Sequence, residues 1–386
     1  MSSHDERVDR KNNQMASFLI SFVLSALSTL LIIKFGKTYF AMLDSDLASV
    51  QKVHVEAVPR IGGIAIFVAV VLTGAYTMWR EPMIGAWIAL LMMCSSVAFG
   101  GGIVEDVTKN VSPGRRLALT MIAALLGFFL LDARIEHLDL VGSVIKLPIF
   151  WVGLPLTILA VAGIANAVNI IDGFNGLASV VSICMLLSLG YVALQVGDMF
   201  VLVAALMVAG ATAGFFVFNY PAGLIFLGDG GAYFLGFMLG ELSILLVMRN
   251  PQVSTWYAAL LLIYPVFETL FSVYRRFVLR GHSPSTPDGI HLHSLIFRRV
   301  VQWTIGRRDA RALMHRNALT SPYLWLISLM AVVPATLLWH QTAALMIFCV
   351  LFVVSYVWLY ARIVRFRAPR WMIFSKKPVK KHAAKK

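Results

Sequence analysis

The sequence Asn166-Ala-Val-Asn-Ile-Ile-Asp172-Gly-Phe-Asn-Gly-Leu177 lies between two long apolar segments. It contains three Asn, one Asp and two Gly within twelve residues. Because unsatisfied polar groups are costly in lipid, we expect this stretch in a loop at a membrane surface. Asn and Asp supply oxygens for a hard cation, and Gly lets the backbone approach a ligand closely. The same residue types also form turns, so this stretch alone leaves an ordinary turn open.

The rest of the chain has the composition of a membrane protein. Its 386 residues are 59% hydrophobic and 13% charged, whereas soluble domains are roughly 45–50% apolar and about 25% charged. A membrane-spanning helix needs about 20 predominantly apolar residues. Eleven stretches qualify: Met15–Ile33, Ile61–Met78, Ile84–Val104, Leu117–Leu131, Leu147–Ala165, Leu177–Gln195, Phe200–Phe218, Ala232–Met248, Trp256–Tyr274, Pro322–Trp339 and Ala343–Ala361. The sequence predicts an all-α, polytopic integral membrane protein, with a surface turn or strand at Val144–Pro148.

The distribution of basic residues predicts the orientation. Most of the 33 Lys and Arg residues fall in one set of alternating loops and in the C-terminal segment. The positive-inside rule then predicts a cytoplasmic C-terminus and a periplasmic N-terminus. The expected parts are a periplasmic tail at residues 1–14, a transmembrane domain at 15–361 with cytoplasmic loops that include 275–321, and a basic cytoplasmic tail at 362–386. We attribute the net charge of +14 to these segments, which suit anionic headgroups, and we expect no nucleic-acid partner.

Adjacent acids occur at the expected cytoplasmic end of the third span. Glu105 and Asp106 are followed by Lys109, Arg115 and Arg116. Paired acids can bind a cation, orient a phosphate through that cation or accept a proton. The basic side chains can donate hydrogen bonds to phosphate. A solvated loop with local ion pairs is the alternative.

Two more polar stretches are expected at the same face. Asp229 lies among glycines at the start of the eighth span, where a carboxylate can favour the helix dipole or bind Mg²⁺ together with substrate phosphates. His291 and His293 belong to an Arg-rich loop that suits anionic phosphates. A His-x-His pair can also hold zinc, but no Cys or clear third ligand accompanies this one.

Three charged residues lie close to or inside the spans. Arg60, in Pro59-Arg-Ile-Gly-Gly63, either anchors the second span at the surface or contributes to a site. Glu241 and Glu268 are expected inside the eighth and ninth spans, and intramembrane acids are functional candidates by default. Their depth favours a polar contact in the interior, with catalysis as a lesser alternative.

These stretches, in this order from about residue 54 to residue 299, resemble the polyprenyl-phosphate N-acetylhexosamine-1-phosphate transferase family. Glu105-Asp106 occupies the family's Asp-Asp position, so the first acid is longer by one methylene. Asn166, Asn169 and Asp172-Gly173 match its Asn-x-x-Asn-x-x-Asp-Gly pattern.

Other positions depart from the family pattern. Asn175 stands where many members have Asp, which favours a nucleobase contact over an acidic role. His291 and His293 match part of the family's His-rich loop, and Ser294 replaces a further His. The chain lacks the three consecutive His of the peptidoglycan translocase, so it is more similar to the GlcNAc-type branch.

The resemblance implies a reaction and its site. A UDP-N-acetyl-sugar, with GlcNAc favoured, would donate the sugar-1-phosphate to undecaprenyl phosphate and release UMP at the cytoplasmic face of the bacterial inner membrane. Mg²⁺, or alternatively Mn²⁺, would bind Asp229 and Asn169. The implied catalytic residues are Glu105, Asp106, Asp172 and Asp229; the implied substrate-binding residues are Arg60, Lys109, Arg115, Arg116, Asn166, Asn169, Asn175, His291 and His293.

Several alternatives stay open at this point. A transporter or lipid flippase would also be polytopic, although transporter sites usually lie near the bilayer midplane and here the polar groups cluster at one face. The third hypothesis is a catalytically inactive homologue that serves as a scaffold. The sequence leaves open the sugar, the polysaccharide pathway, a direct or double-displacement mechanism, and the oligomeric state, a homodimer included.

Overall fold

The structure is a computed structural model that describes residues 3–40, 58–279, 291–301 and 310–365. Within these ranges the chain forms a helical bundle with one small hairpin. The helices are α1 (Ser3–Phe40), α2 (Gly62–Arg80), α3 (Pro82–Thr108), α4 (Pro113–Leu130), α5 (Leu154–Ile171), α6 (Leu177–Val196), α7 (Met199–Asn219), α8 (Gly228–Arg249), α9 (Thr255–Leu261), α10 (Ile263–Tyr274), α11 (Leu292–Ile296), α12 (Ala310–Leu337) and α13 (Thr342–Val364). Short π-helical segments occur at Ile149–Gly153, Arg275–Leu279 and Phe297–Val301.

Ten helices in the described ranges are long and apolar enough to cross a membrane, or eleven if one bent pair counts as a single span. This confirms the prediction of an α-helical polytopic membrane protein. The predicted ninth span, Trp256–Tyr274, is divided into two helices, because α9 and α10 meet at 68°, and it counts as one span only if this bent pair is taken together. The break lies at Leu262, near the start of the segment that carries Pro265. Proline cannot donate to the carbonyl four residues earlier and its ring crowds that carbonyl, which accounts for the break.

A two-stranded hairpin separates α4 from α5. Strand β1 (His137–Leu140) pairs antiparallel with β2 (Ser143–Lys146), and Gly142 takes a positive φ of 77° in the tight turn. The predicted turn or strand at Val144–Pro148 is therefore confirmed as a strand up to Lys146. The hairpin is the exception to the all-α description among the residues that the structure covers.

Helix α8 forms the centre of the bundle. Every residue from Gly230 to Val247 is buried, and α8 packs against α2, α3, α5, α6 and α7. Glycines allow this close packing: a Cβ on Gly102 of α3 would lie 2.5 Å from the Cα atom of Gly230. Gly63 of α2 meets the backbone of Gly231 in the same way. Three spans therefore approach one another closely at the first turn of α8.

Backbone hydrogen bonds bring two of the predicted polar stretches together at one end of the bundle. The Gly62 and Gly63 amides donate to the carbonyls of Phe226 and Leu227, at 2.9 and 2.8 Å. This pairs the beginning of α2 with the segment that leads into α8. The hairpin lies at the opposite end, since α4 and α5 connect there.

The structure describes parts of the predicted terminal and loop segments. Helix α1 already begins at Ser3, so residues 3–14 continue the first span as a helix. Helix α13 extends to Val364. Residues 280–290 of the predicted His-rich loop and residues 366–386 of the predicted basic tail lie outside the described ranges.

Candidate active site

Asp106 holds the N-terminus of the central helix. It lies near the end of α3 and is buried, at 7% exposure. Its Oδ1 atom accepts a hydrogen bond from the Asp229 amide at 3.0 Å, and Oδ2 accepts one from the Gly230 amide at 2.9 Å. The first amides of a helix have no partner within the helix and favour negative charge nearby. Asp106 therefore caps α8 from a neighbouring helix, a role that the sequence did not indicate.

Glu105, the other member of the acid pair, turns in a different direction. Its Oε2 atom accepts a hydrogen bond from the Val111 amide at 2.7 Å, which closes the connection between α3 and α4. The connection turns at Lys109, whose φ is 57°. Ser112 then caps α4 by accepting a hydrogen bond from the Arg115 amide at 3.4 Å. The side chains of Lys109 and Arg115 are exposed at this end of the bundle.

Asp229 is the carboxylate on which the predicted groups converge. It lies in the first turn of α8 with its side chain 27% exposed. Arg116 of α4 forms an ion pair with its Oδ2 atom. The amide nitrogen of Asn169, from α5, lies 3.1 Å from its Oδ1 atom. Side chains from α4, α5 and α8, distant in sequence, therefore meet at one point.

Tyr233 extends this cluster by one turn of α8. Its hydroxyl donates to Asn166 Oδ1 at 3.4 Å, and the Arg116 guanidinium lies 5.9 Å from its ring centroid. The Nε atom of Arg116 is buried and has no hydrogen-bond partner among the described residues. A buried charged donor is expected to find an acceptor. Arg116 thus has donor capacity left for an anion.

Asp172 ends α5 beside this cluster. Burial raises its pKa to about 7; the Arg60 guanidinium opposes this rise and the Asp106 carboxylate adds to it. The side chain of Arg60 is itself exposed at the start of α2. Asp172 is therefore a carboxyl group that can hold or release a proton near neutral pH.

Gly228 shows how tightly this region is built. It takes a positive φ of 78°, a conformation open to glycine and strained for other residues. A Cβ at this position would lie 2.6 Å from the Oδ2 atom of Asp106. It would also collide with the Arg60 carbonyl. The glycine next to Asp229 is thus required by the approach of both neighbours.

The two predicted histidines form a second group with residues that the sequence analysis did not assign to the site. Nδ1 of His291 lies 3.2 Å from Oε1 of Glu268, which is 2% exposed. The other oxygen of Glu268 accepts a hydrogen bond from the Tyr356 hydroxyl at 2.6 Å. The position of Glu268 inside an apolar span was the available signal for it. Tyr356, in the last span, gave none.

The histidine group adjoins the Asp172 loop. The rings of His291 and His293 stack with centroids 5.1 Å apart. His293 meets the edge of Phe174 at 5.5 Å. A Cβ on Gly173 would lie 3.2 Å from Nε2 of His293. The loop that follows α5 therefore contacts the histidine group through Gly173 and Phe174, while Asn169, one turn before the loop, contacts Asp229.

Asn175 lies in the interior of the loop. It is 2% exposed, its amide donates to Asn317 Oδ1 at 2.8 Å, and its carbonyl accepts from the Ser321 hydroxyl at 2.6 Å. Its side-chain amide lies 3.4 Å from the Pro221 carbonyl. These contacts fasten the loop to α12. The nucleobase contact predicted for Asn175 would require this buried side chain to leave its partners.

The donor set around Asp229 fits Mg²⁺ bound partly by substrate. The described residues contain no group of three or more His, Cys, Asp and Glu side chains placed to hold a metal. Mg²⁺ commonly takes one or two carboxylates and completes its shell with phosphate oxygens and water. Asp229 offers one partly exposed carboxylate of this kind, and a cation bound there would displace the Arg116 guanidinium and the Nδ2 atom of Asn169 from its oxygens. The histidine group lacks the closed tetrahedral ligand set of a structural zinc site.

The fold and the site together define a class of protein. It is a multi-pass α-helical membrane protein in which carboxylates, arginines and histidines from separate spans meet at one end of the bundle. Comparison with known proteins agrees with this class: the family model for glycosyl transferase family 4 matches residues 87–247. That match runs from α3 to α8 and includes Asp106, Asn169 and Asp229.

Individual relatives extend the match. A protein of Bacillus subtilis (strain 168), described as a probable undecaprenyl-phosphate N-acetylglucosaminyl 1-phosphate transferase, is 30% identical over 297 residues, covering 73% of this chain and 78% of the relative. The decaprenyl-phosphate N-acetylglucosaminephosphotransferase of Mycolicibacterium smegmatis is 27% identical over 310 residues, 71% of each chain. A phospho-N-acetylmuramoyl-pentapeptide-transferase of Streptococcus thermophilus is 30% identical over 201 residues, 49% of this chain and 58% of the relative. The chain belongs to the polyprenyl-phosphate N-acetylhexosamine-1-phosphate transferase family, glycosyl transferase family 4.

Proposed function

We propose that the protein transfers an N-acetylhexosamine-1-phosphate from a UDP-sugar to undecaprenyl phosphate. GlcNAc-1-phosphate is the favoured group. The products are undecaprenyl-diphospho-sugar and UMP. The observation that carries the proposal is the convergence of Asp229, Arg116 and Asn169 at the N-terminus of α8. Relatives described as transferases that act on undecaprenyl or decaprenyl phosphate support the acceptor class.

The reaction is a phosphoryl transfer between two anions. An oxygen of the lipid phosphate attacks the phosphorus that carries the sugar, and the bond from that phosphorus to the bridging oxygen breaks. The bridging oxygen leaves with the electron pair as part of UMP. A phosphate monoester is mostly dianionic at neutral pH because its second pKa is about 6. The acceptor is thus already a nucleophile, and the main task of the site is to bring like charges together.

The residues at the site can perform that task. Arg116 would exchange Asp229 for a phosphate oxygen, and the exposed Lys109 and Arg115 would add positive charge. Asp106 would keep the first turn of α8, and with it Asp229, in place. Mg²⁺ held by Asp229 and Asn169 would neutralise the diphosphate and stabilise the departing UMP. Asp172, with a pKa near neutrality, would accept a residual proton from the lipid phosphate.

The location of the site follows from the same charges. We infer that the end of the bundle that carries Asp229 faces the cytoplasm of a bacterial inner membrane and that the hairpin faces the periplasm. The support is the excess of Lys and Arg in the loops at the site. There, a UDP-sugar would enter from water and a polyprenyl phosphate from the bilayer.

Cysteine labelling tests this orientation. Lys109→Cys and Val141→Cys place thiols on exposed positions at opposite ends, and Val141 is 65% exposed in the hairpin. An impermeant maleimide should label Val141→Cys in intact spheroplasts and Lys109→Cys after lysis. The reverse pattern would overturn the orientation. Wild-type protein, with its three native cysteines buried or half-buried, is the background control.

UMP release tests the activity. Purified protein should release UMP from UDP-GlcNAc when undecaprenyl phosphate and Mg²⁺ are both present. EDTA or Asp229→Ala should abolish the release. No release with GlcNAc but release with another UDP-N-acetylhexosamine would change the donor and keep the reaction. A folded protein that releases no UMP from any such donor would contradict the proposed function.

A further inference from the structure

A buried carboxylate contacts the histidine group. Glu268, in α10, is 2% exposed. Its Oε1 atom lies 3.2 Å from Nδ1 of His291 and accepts a hydrogen bond from the Leu292 amide at 3.0 Å. Its Oε2 atom accepts a hydrogen bond from the Tyr356 hydroxyl at 2.6 Å. The carboxylate thus joins α10, α11 and α13 at one point.

The partners of Glu268 determine which nitrogen of His291 carries hydrogen. The Leu292 amide and the Tyr356 hydroxyl both serve as donors, one to each oxygen, which matches an ionised acceptor-only carboxylate. The contact with His291 then requires a hydrogen on Nδ1. The Nε2 atom is left for another partner.

Aromatic packing holds this arrangement in place. The Tyr356 ring packs against Phe267 at 5.1 Å and Phe271 at 5.7 Å, both on the same helix as Glu268. On the other side, the stacked ring of His293 limits rotation of His291. Arg299 also joins the segment after α11 to the end of α13, because it donates hydrogen bonds to the carbonyls of Ile363 and Val364.

We propose that Glu268 is a positioning residue for the transfer reaction. It holds His291 with a hydrogen on Nδ1 and a fixed ring orientation, so that Nε2, when the ring takes up a second proton, is the donor to an oxygen of the substrate phosphate. Tyr356 holds the carboxylate in turn. The inference rests on the proposed function for the identity of the phosphate, but the tautomer and the Glu268 contact are properties of the protein alone.

The first test reads the tautomer without activity. Protein labelled with ¹⁵N-histidine should show a His291 signal, assigned by its loss in His291→Gln, with hydrogen on Nδ1 and none on Nε2 in the neutral ring. Glu268→Gln should shift the ring toward the Nε2–H form that free histidine favours. A wild-type His291 ring in the Nε2–H form would overturn the proposal, whether or not the protein releases UMP.

The second test separates positioning from folding. Glu268→Gln should lower kcat about 10- to 100-fold, the range expected for loss of one charge-assisted contact, with a smaller change in KM. Combined with His291→Gln, it should add less than about threefold, because residues that act through one another are non-additive. Glu241→Gln is the matched control, since Glu241 is an equally buried acid in α8, and its effect should multiply with that of His291→Gln.

The outcomes are distinct for the two proposals. An active wild-type protein in which Glu268→Gln and His291→Gln multiply in full would refute the positioning role and leave the proposed function standing. A thermal midpoint lowered by Glu268→Gln in step with activity, with unchanged His291 signals, would reduce Glu268 to a structural contact. Absence of UMP release with every donor, alongside the expected His291 tautomer, would refute the proposed function only.

Discussion

The Oδ1 atom of Asp106 lies 3.0 Å from the backbone nitrogen of Asp229, so one acid of the site fixes the backbone of another. The second oxygen of Asp106 binds the next amide of the same helix turn. Asp106 thereby stabilises a helix start that must present a carboxylate close to other carboxylates. The family resemblance implies a catalytic role for both acids, but their contacts differ. Asp106 binds the backbone of α8, whereas Asp229 presents its carboxylate to Arg116 and Asn169.

Substitutions of Asp106 and Asp172 should separate stability from activity. Asp106→Asn leaves only one oxygen to accept from two amides, and we expect lower activity and a thermal midpoint lower by several degrees, since a lost cap costs about 0.5–2 kcal/mol. Asp172→Asn removes a carboxyl whose ionisation is opposed by burial, so it should lose activity and keep the midpoint. Equal midpoints for the two variants, measured by thermal unfolding in detergent, would contradict the capping role.

The glycines of α3 offer a test of the close packing around Asp229. Gly102→Ala would place a Cβ 2.5 Å from the Cα atom of Gly230, so α8 must shift at its first turn. We expect at least a tenfold loss of UMP release and a lower thermal midpoint, in line with overpacking costs of about 1–3 kcal/mol. Gly100→Ala is the matched control, because a Cβ there meets nothing within 4 Å. Similar effects of the two substitutions would contradict the packing argument.

Arg116 should compete with the metal for Asp229. Its guanidinium occupies Oδ2 of that carboxylate in the structure. Arg116→Ala should therefore lower the Mg²⁺ concentration for half-maximal activity, while loss of a phosphate donor lowers kcat/KM for the UDP-sugar about 10- to 100-fold. Titrations of Mg²⁺ and of UDP-sugar measure the two effects separately. A higher Mg²⁺ requirement in Arg116→Ala would argue against competition.

The pH profile should carry the signature of Asp172. If its ionised form takes part in transfer, activity rises as pH passes about 7, the pKa to which burial raises this carboxyl. Arg60 favours the ionised form, so Arg60→Ala should raise the pKa and move this acid limb to higher pH. Arg115→Ala, which removes an exposed arginine that does not act on Asp172, should leave the limb in place. A limb that moves to lower pH in Arg60→Ala would have the wrong sign for this carboxyl.

Much of this organisation could be predicted from local pattern. Long apolar runs separate polar loops, and this pattern was enough to predict helices that span a membrane and polar loops near their ends. The order of the polar motifs was enough to predict the family. The bend between α9 and α10 was missed, because an apolar run is equally compatible with a straight helix and with one broken near Pro265.

The contacts inside the site depended on the tertiary structure. No spacing rule relates Asp106 to the amide of Asp229, 123 residues later, or Glu268 to Tyr356, 88 residues later. The first depends on glycines that let α3 and α8 pack closely. Both depend on the requirement that buried polar atoms find partners. Local transfer energies follow from the sequence alone, so the sequence was enough to predict which segments are apolar enough to cross a membrane and which polar groups stay at its surface. The tertiary structure alone decided which carboxylate binds backbone, which binds arginine and which holds histidine, since that choice depends on distances between helices.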